Sequence, residues 1–132
     1  MVVVDTSALV AILHREPNAD SLARCLLETP RRLVSAVTRA ELSFVVEGRN
    51  PQGGRIELER LLNLVRIEVV SVTPQHAEIA IAAFRQFGRR RYRAALNIGD
   101  CFSYALAKAA DLPLLFKGDD CVHTDIRPAL TG

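Results

Sequence analysis

Short runs of β-branched residues alternate along this chain with longer segments of helical period, an order that few folds accept. It is the signature of successive βαβ units, and hence of a mainly parallel sheet covered by helices on both faces. Val2 to Val4 predict the first strand, and a helix starts near Ser7. Beyond the Glu16-Pro17 break a second helix runs through Leu22, Leu26 and Leu27. Leu33 to Ser35 give a second strand, and Val37 to Glu47 a helix that Gly48 is placed to end. The segment Arg49 to Gly54 carries turn chemistry, Ile56 to Val65 is helical, and Ile67 to Val72 form a third strand. Thr73-Pro74 is a helix start with proline at its first position, and the period from Ala77 to Phe87 lasts to Gly88. A basic connection, Arg89 to Leu96, leads to a helix over Ile98 to Ala110 and a buried strand over Leu112 to Phe116. The expected class is α/β, a three-layer α/β/α arrangement around a parallel sheet.

With 132 residues, 49% of them apolar, the chain is long enough to bury a core and is expected to form one domain. Cys25, Cys101 and Cys121 are odd in number and widely spaced, which suggests neither a disulfide framework nor a zinc site and fits a reducing cytoplasm. His14, His76 and His123 do not fall at zinc-ligand spacing. The apolar start lacks a basic leader and carries Asp5 inside it, unlike a signal peptide. No apolar run reaches membrane-spanning length, so no membrane association is expected.

Asp5 is the anomaly in VVVDTSALVAIL. A buried carboxylate needs a partner or a cation. In open α/β sheets, sites gather at the carboxyl ends of the strands, and Asp5 ends the first strand. Asp119 follows the last strand after only Lys117 and Gly118, so the two share an edge if their strands are neighbours. Glu41 has Val37 and Val45 four residues away and Thr38 and Phe44 three away, a mostly apolar stripe that points it inward. Asp100 lies in the first turn of its helix, where the dipole favours an acid with or without a function.

Each carboxylate has a plainer reading. Asp5 fits a helix N-cap, Asp119 and Asp120 fit a turn, and Glu41 has Arg39 or Arg15 as potential ion-pair partners. Taken together they point elsewhere. At ~4 Å and an effective dielectric near 20, each like-charge pair costs on the order of 4 kcal/mol, so four gathered carboxylates require neutralisation. With no His, Cys or Lys beside each of them, a hard divalent cation, Mg2+ or Mn2+, is the simplest answer. Such an ion lowers the pKa of a bound water and stabilises charge on a phosphate, which suggests phosphodiester hydrolysis. The charge balance agrees. The net charge is +2, but setting the four aside leaves eleven acidic against seventeen basic residues, +6, an acidic pocket on a body suited to a polyanion.

The blocks VVVDTSALVAIL, SAVTRAELS and NIGDCFSYALAKAADLPLLFKGDDCVHTDI, in that order and spanning nearly the whole chain, resemble the PIN domain of VapC toxins from bacterial toxin–antitoxin pairs. The resemblance implies an α/β/α sandwich, Mg2+- or Mn2+-dependent RNase activity on structured RNA such as tRNA or ribosomal RNA, and products with 5′-phosphate and 3′-hydroxyl ends. It also implies a homodimer and a VapB-type antitoxin that inhibits by occupying the site. Carried over by position, the family's acidic set falls on Asp5, Glu41, Asp100 and Asp119, with Asp120 the adjacent alternative in GDD, and Ser7 matches the hydroxyl residue that supports the site. Cys121 departs from the family, where Phe often follows the acidic pair.

Before Asp100, GRRRYRAALN places Arg89, Arg90, Arg91 and Arg93 around Tyr92. Arginines pair with phosphates and an aromatic stacks an unpaired base, though a solvated charged loop reads the same way. Lys117 is either a phosphate contact or a strand-end lysine in solvent. Two other enzyme or signalling classes fit less well. A receiver domain would want an acidic pair after the first strand and a phosphoacceptor Asp at the third, and a haloacid-dehalogenase-type phosphatase would want Asp where Ser7 stands. The non-enzymatic rival is an RNA- or partner-binding module that keeps the acidic pocket.

Overall fold

A computed structural model describes residues 1–88, 96–118 and 124–130. The described elements are β1 (Val2–Val4), α1 (Thr6–Leu13), α2 (Ala19–Glu28), β2 (Arg32–Ser35), α3 (Ala36–Arg49), α4 (Gly54–Leu64), β3 (Ile67–Val70), α5 (Pro74–Phe87), α6 (Ile98–Ala110) and β4 (Leu114–Leu115). The four strands form one sheet in the order β3-β2-β1-β4, every pairing parallel.

β1 is the hinge of the architecture. Successive side chains of a strand leave opposite faces, so a strand covered on both sides is apolar at every position, and Val2, Val3 and Val4 are all buried. Val2 and Val4 join a core with Leu9, Leu22, Leu26, Leu42 and Leu58, supplied by α1 to α4. Val3 joins a second core with Leu33, Leu114, Phe87 and Tyr104 against α5 and α6. The result is the expected helix-sheet-helix sandwich. Val4 pairs with Leu115, and the Asp5 N–H donates to the Leu115 carbonyl at 2.9 Å, so β1 and β4 are neighbours with their carboxyl ends side by side.

The helix starts follow local chemistry. Ser35 caps α3, Thr73 caps α5 with Pro74 in its first turn, and Asn97 caps α6. Several boundaries differ from the sequence reading, among them α4, which begins at Gly54 rather than Ile56. α3 does not stop at Gly48: nothing in its surroundings forces a turn there, the helix runs to Arg49, and Asn50 caps it. β3 ends at Val70, short of Val72. β4 is only Leu114–Leu115 rather than 112 to 116. Its outer side is taken by the tail, where the Leu114 N–H donates to Arg127 O and the Ala129 N–H to Leu114 O, both at 2.9 Å. The Tyr104 hydroxyl and the Lys108 ammonium fasten that tail through Asp125, at 2.5 and 2.6 Å. Among the described residues no helix is long and apolar enough to cross a membrane.

Candidate active site

Asp5 leaves the sheet where β1 gives way to α1 and is only 2% exposed. It is a helix N-cap, accepting the Ser7 N–H at Oδ2 over 3.1 Å. Its other oxygen, Oδ1, accepts the Ser103 hydroxyl at 2.6 Å. Ser103 Oγ is also 3.0 Å from Thr38 Oγ1; since the Ser103 proton is directed at Asp5, Thr38 is the donor in that second bond.

Glu41, nearly two turns into α3, accepts a short hydrogen bond from the Thr6 hydroxyl. Its carboxylate lies against the first turn of α6. A Cβ on Gly99 would meet Glu41 Oε2 at 2.2 Å and Oε1 at 2.3 Å, so the carboxylate fills space that only glycine leaves open. Burial pushes the Glu41 carboxyl above its ordinary range, the Thr6 hydrogen bond opposes the rise, and the Asp5 charge adds to it. Asp5 and Glu41 are thus brought close enough to repel. The N-termini of α1 and α6 abut them, an environment that favours negative charge. Among the described residues, no basic side chain forms an ion pair with either carboxylate.

Asp100, 9% exposed, closes a capping box: its N–H donates to Asn97 Oδ1 at 2.9 Å and its Oδ2 accepts the Asn97 N–H at 3.1 Å. It therefore adjoins the Glu41 seat through Gly99 while serving its own helix end. Ser7 Oγ accepts the Lys117 N–H at 2.9 Å, which ties α1 to the segment after β4. The Lys117 ammonium pairs with Glu16, an arrangement that neither reading of that lysine anticipated. Gly118 turns the chain at φ 100°, a conformation that suits glycine. Asp119, Asp120 and the arginines Arg89, Arg90, Arg91 and Arg93 lie outside the described residues. Among those described, no three His, Cys, Asp or Glu side chains are grouped as a metal site. The pair Asp5 and Glu41, with hydroxyls of Thr6 and Ser103 around it, is an all-oxygen donor set of the kind hard cations take.

Of the stripe flanking Glu41, Thr38 is buried and Val45 packs against a core, and the plainer reading that paired Glu41 with Arg39 or Arg15 is not what the structure shows. Phe44, counted as part of that stripe, is 76% exposed. Arg39 donates to Ser43 at 2.6 Å instead, and Glu41 is held by Thr6. Sequence reasoning also missed Thr6, Thr38, Ser103 and Gly99. The only available signal was a serine inside the apolar run CFSYALA, one helical turn after Asp100. Its partner is 98 positions away.

A family model of the PIN domain matches residues 2–126. Ribonuclease VapC30 of Mycobacterium tuberculosis is 45% identical over 124 residues, covering 94% of this chain and 95% of that protein. Among solved structures, VapC20 of Mycobacterium tuberculosis, described as a sarcin-ricin loop cleaving toxin, superposes with a TM-score of 0.72 at 19% identity, over 97% of this chain and all of the other. VapBC2 from Rickettsia felis, bound to a DNA fragment from its promoter, gives 0.71 at 14% identity over 97% and 96%. These two establish likeness of fold. A match of this extent, with a relative of such identity aligned over nearly its full length, settles the family: the chain belongs to the PIN domains, among the VapC ribonucleases.

Proposed function

We propose that this protein is the toxin of a toxin–antitoxin pair: a Mg2+- or Mn2+-dependent endoribonuclease that hydrolyses phosphodiester bonds in structured RNA, tRNA or ribosomal RNA. In this reading it acts as a homodimer in the cytoplasm and is inhibited by a VapB-type antitoxin. The observation that carries the reading is the Asp5–Glu41 pair, two mutually repelling carboxylates held by neutral donors at the carboxyl edge of the sheet. The ribonuclease names of relatives at this identity support the activity, and the VapBC fold neighbour supports the partner. The sarcin-ricin loop described for VapC20 makes folded RNA the substrate class to test.

Asp5, Glu41, Asp100 and Asp119 are the residues proposed to hold the cation. When bound, that ion lowers the pKa of a water and offsets charge developing on the phosphate. The chain's own part is to keep the oxygens in place. Ser7 N–H and Ser103 take one lone pair on each oxygen of Asp5, and an ionised carboxylate has about four acceptor sites, so each oxygen retains one. Thr6 and the gap at Gly99 fix Glu41. Ser7 anchors the strand end from which the chain proceeds to Asp119. Arg89, Arg90, Arg91 and Arg93 are the proposed grip on RNA phosphates, with Tyr92 to stack a base.

The test is cleavage of total RNA by purified protein with Mg2+ or Mn2+, with EDTA, and with the Asp5→Asn variant, which preserves an N-cap. Cleavage is expected only for the wild type with metal. Undiminished cleavage in EDTA, or full activity of Asp5→Asn, overturns the reading, and RNA binding without turnover would instead mark a binding module.

A further inference from the structure

Capping α1 needs one oxygen of Asp5, and the Ser7 N–H already occupies Oδ2. The bond from Ser103 to Oδ1 exceeds that requirement. It is made by a side chain with no exposure, which in turn accepts from Thr38, also with no exposure. Burying two hydroxyls is unfavourable unless both are bonded, and Ala and Val would pack comparable volumes with no such demand. The three groups come from three places in the chain, the end of β1, α3 and α6, and the two hydroxyls are chained, Thr38 donating to Ser103 and Ser103 to Asp5. With both oxygens held by donors from different elements, the carboxylate is fixed against rotation about its Cβ–Cγ bond. Ser103 lies on the same helical face as Asp100 and Gly99, three and four residues before it. One face of α6 thus holds Asp5, seats Glu41 and carries Asp100.

We infer that Ser103, oriented by Thr38, is a positioning residue that sets the orientation in which Asp5 meets a divalent cation. The inference rests on the nuclease reading above. Its test is binding of Mn2+ alone, without RNA, by titration calorimetry, with thermal melts run alongside. Ser103→Ala is expected to weaken Mn2+ binding by roughly 10–100-fold, the range seen when a partner of a metal ligand is removed. Thr38→Val weakens it less, Thr38→Ser restores it, and Thr38→Val has no further effect in the Ser103→Ala background, because Thr38 acts through Ser103.

A merely structural role predicts lower melting temperatures with unchanged Mn2+ affinity, and that result overturns the inference. Should Ser103→Ala fail to fold, Thr38→Val against Thr38→Ser decides on the same criterion. If the wild type binds no Mn2+, or Asp5→Asn binds it as the wild type does, the nuclease reading falls and takes the inference with it. If the wild type binds, Asp5→Asn does not, and the Ser103 and Thr38 variants match the wild type, the inference alone fails.

Discussion

Replacing Gly99 by alanine separates catalysis from stability. The added Cβ would lie 2.2 Å from Glu41 Oε2, where ordinary contact begins at 3.4 Å, so the carboxylate must retreat by about 1.2 Å. A misplacement of ~1 Å in a reacting group can cost on the order of 10²-fold in rate, equivalent to about 2.7 kcal/mol of barrier. The stability balance is different, because the displaced atoms are the far end of a flexible side chain. The helix gains up to ~1 kcal/mol from alanine. The Thr6–Glu41 hydrogen bond, worth about 1.5–3 kcal/mol, is lost, and the released carboxylate recovers hydration. The net change is expected within ~2 kcal/mol, under about 10 °C in melting temperature for a domain of this size. Initial rates of Mn2+-supported RNA cleavage and a thermal melt on the same preparation measure both. Cleavage within about threefold of wild type would show that Glu41 needs no such seat. A melting point lowered by much more than ~10 °C would show that backbone, and not the carboxylate, had moved.

Three other outcomes follow from particular contacts. The raised Glu41 carboxyl favours the folded state below its unfolded value, and that contribution is lost as pH rises through the folded one. Glu41→Gln should therefore raise the melting temperature of metal-free protein at neutral pH and give no gain in acid, while abolishing cleavage; an unchanged or lowered melting point at neutral pH refutes the sign. Tyr104→Phe removes the hydroxyl that fastens Asp125 and should cost about 1 kcal/mol, roughly 3–5 °C, with cleavage intact, and lost cleavage would connect the tail to the site. Reversing Arg90 and Arg91 to Glu should weaken RNA binding and flatten its salt dependence, whereas unchanged affinity removes that loop from the RNA surface.

The elements legible in the sequence are those whose signals are local. VVV at the centre of the sheet, the Thr73-Pro74 start of α5 and the full span of α6 depend on side-chain period and capping within a few residues. What sequence could not supply is what the third dimension decides. Gly48 has the residue type of a helix stop, yet nothing packs near it to impose one. β4 pairs with β1 only at Leu114 and Leu115, while a tail from positions 127 to 129 bonds Leu114 on the other side. At the site, Asp5 and Glu41 stand out because a carboxylate is conspicuous in an apolar setting. Thr38 and Ser103 do not, since hydroxyl residues are common in helices and their meeting across 65 positions leaves no periodic trace. Glu41 is legible only in part: Thr38 on its stripe is buried and Val45 packs against a core, but Phe44 faces solvent, and the seat itself is set by Thr6 and the gap at Gly99.

In the proposed function a divalent cation lies between Asp5 and Glu41 and offsets their repulsion. Anomalous diffraction from crystals grown with Mn2+ tests it directly. A peak is expected within coordination distance of both carboxylates, with Ser103 still bonded to Asp5. Well-diffracting crystals at saturating Mn2+ with no peak at that pair, or with the peak elsewhere, would contradict it.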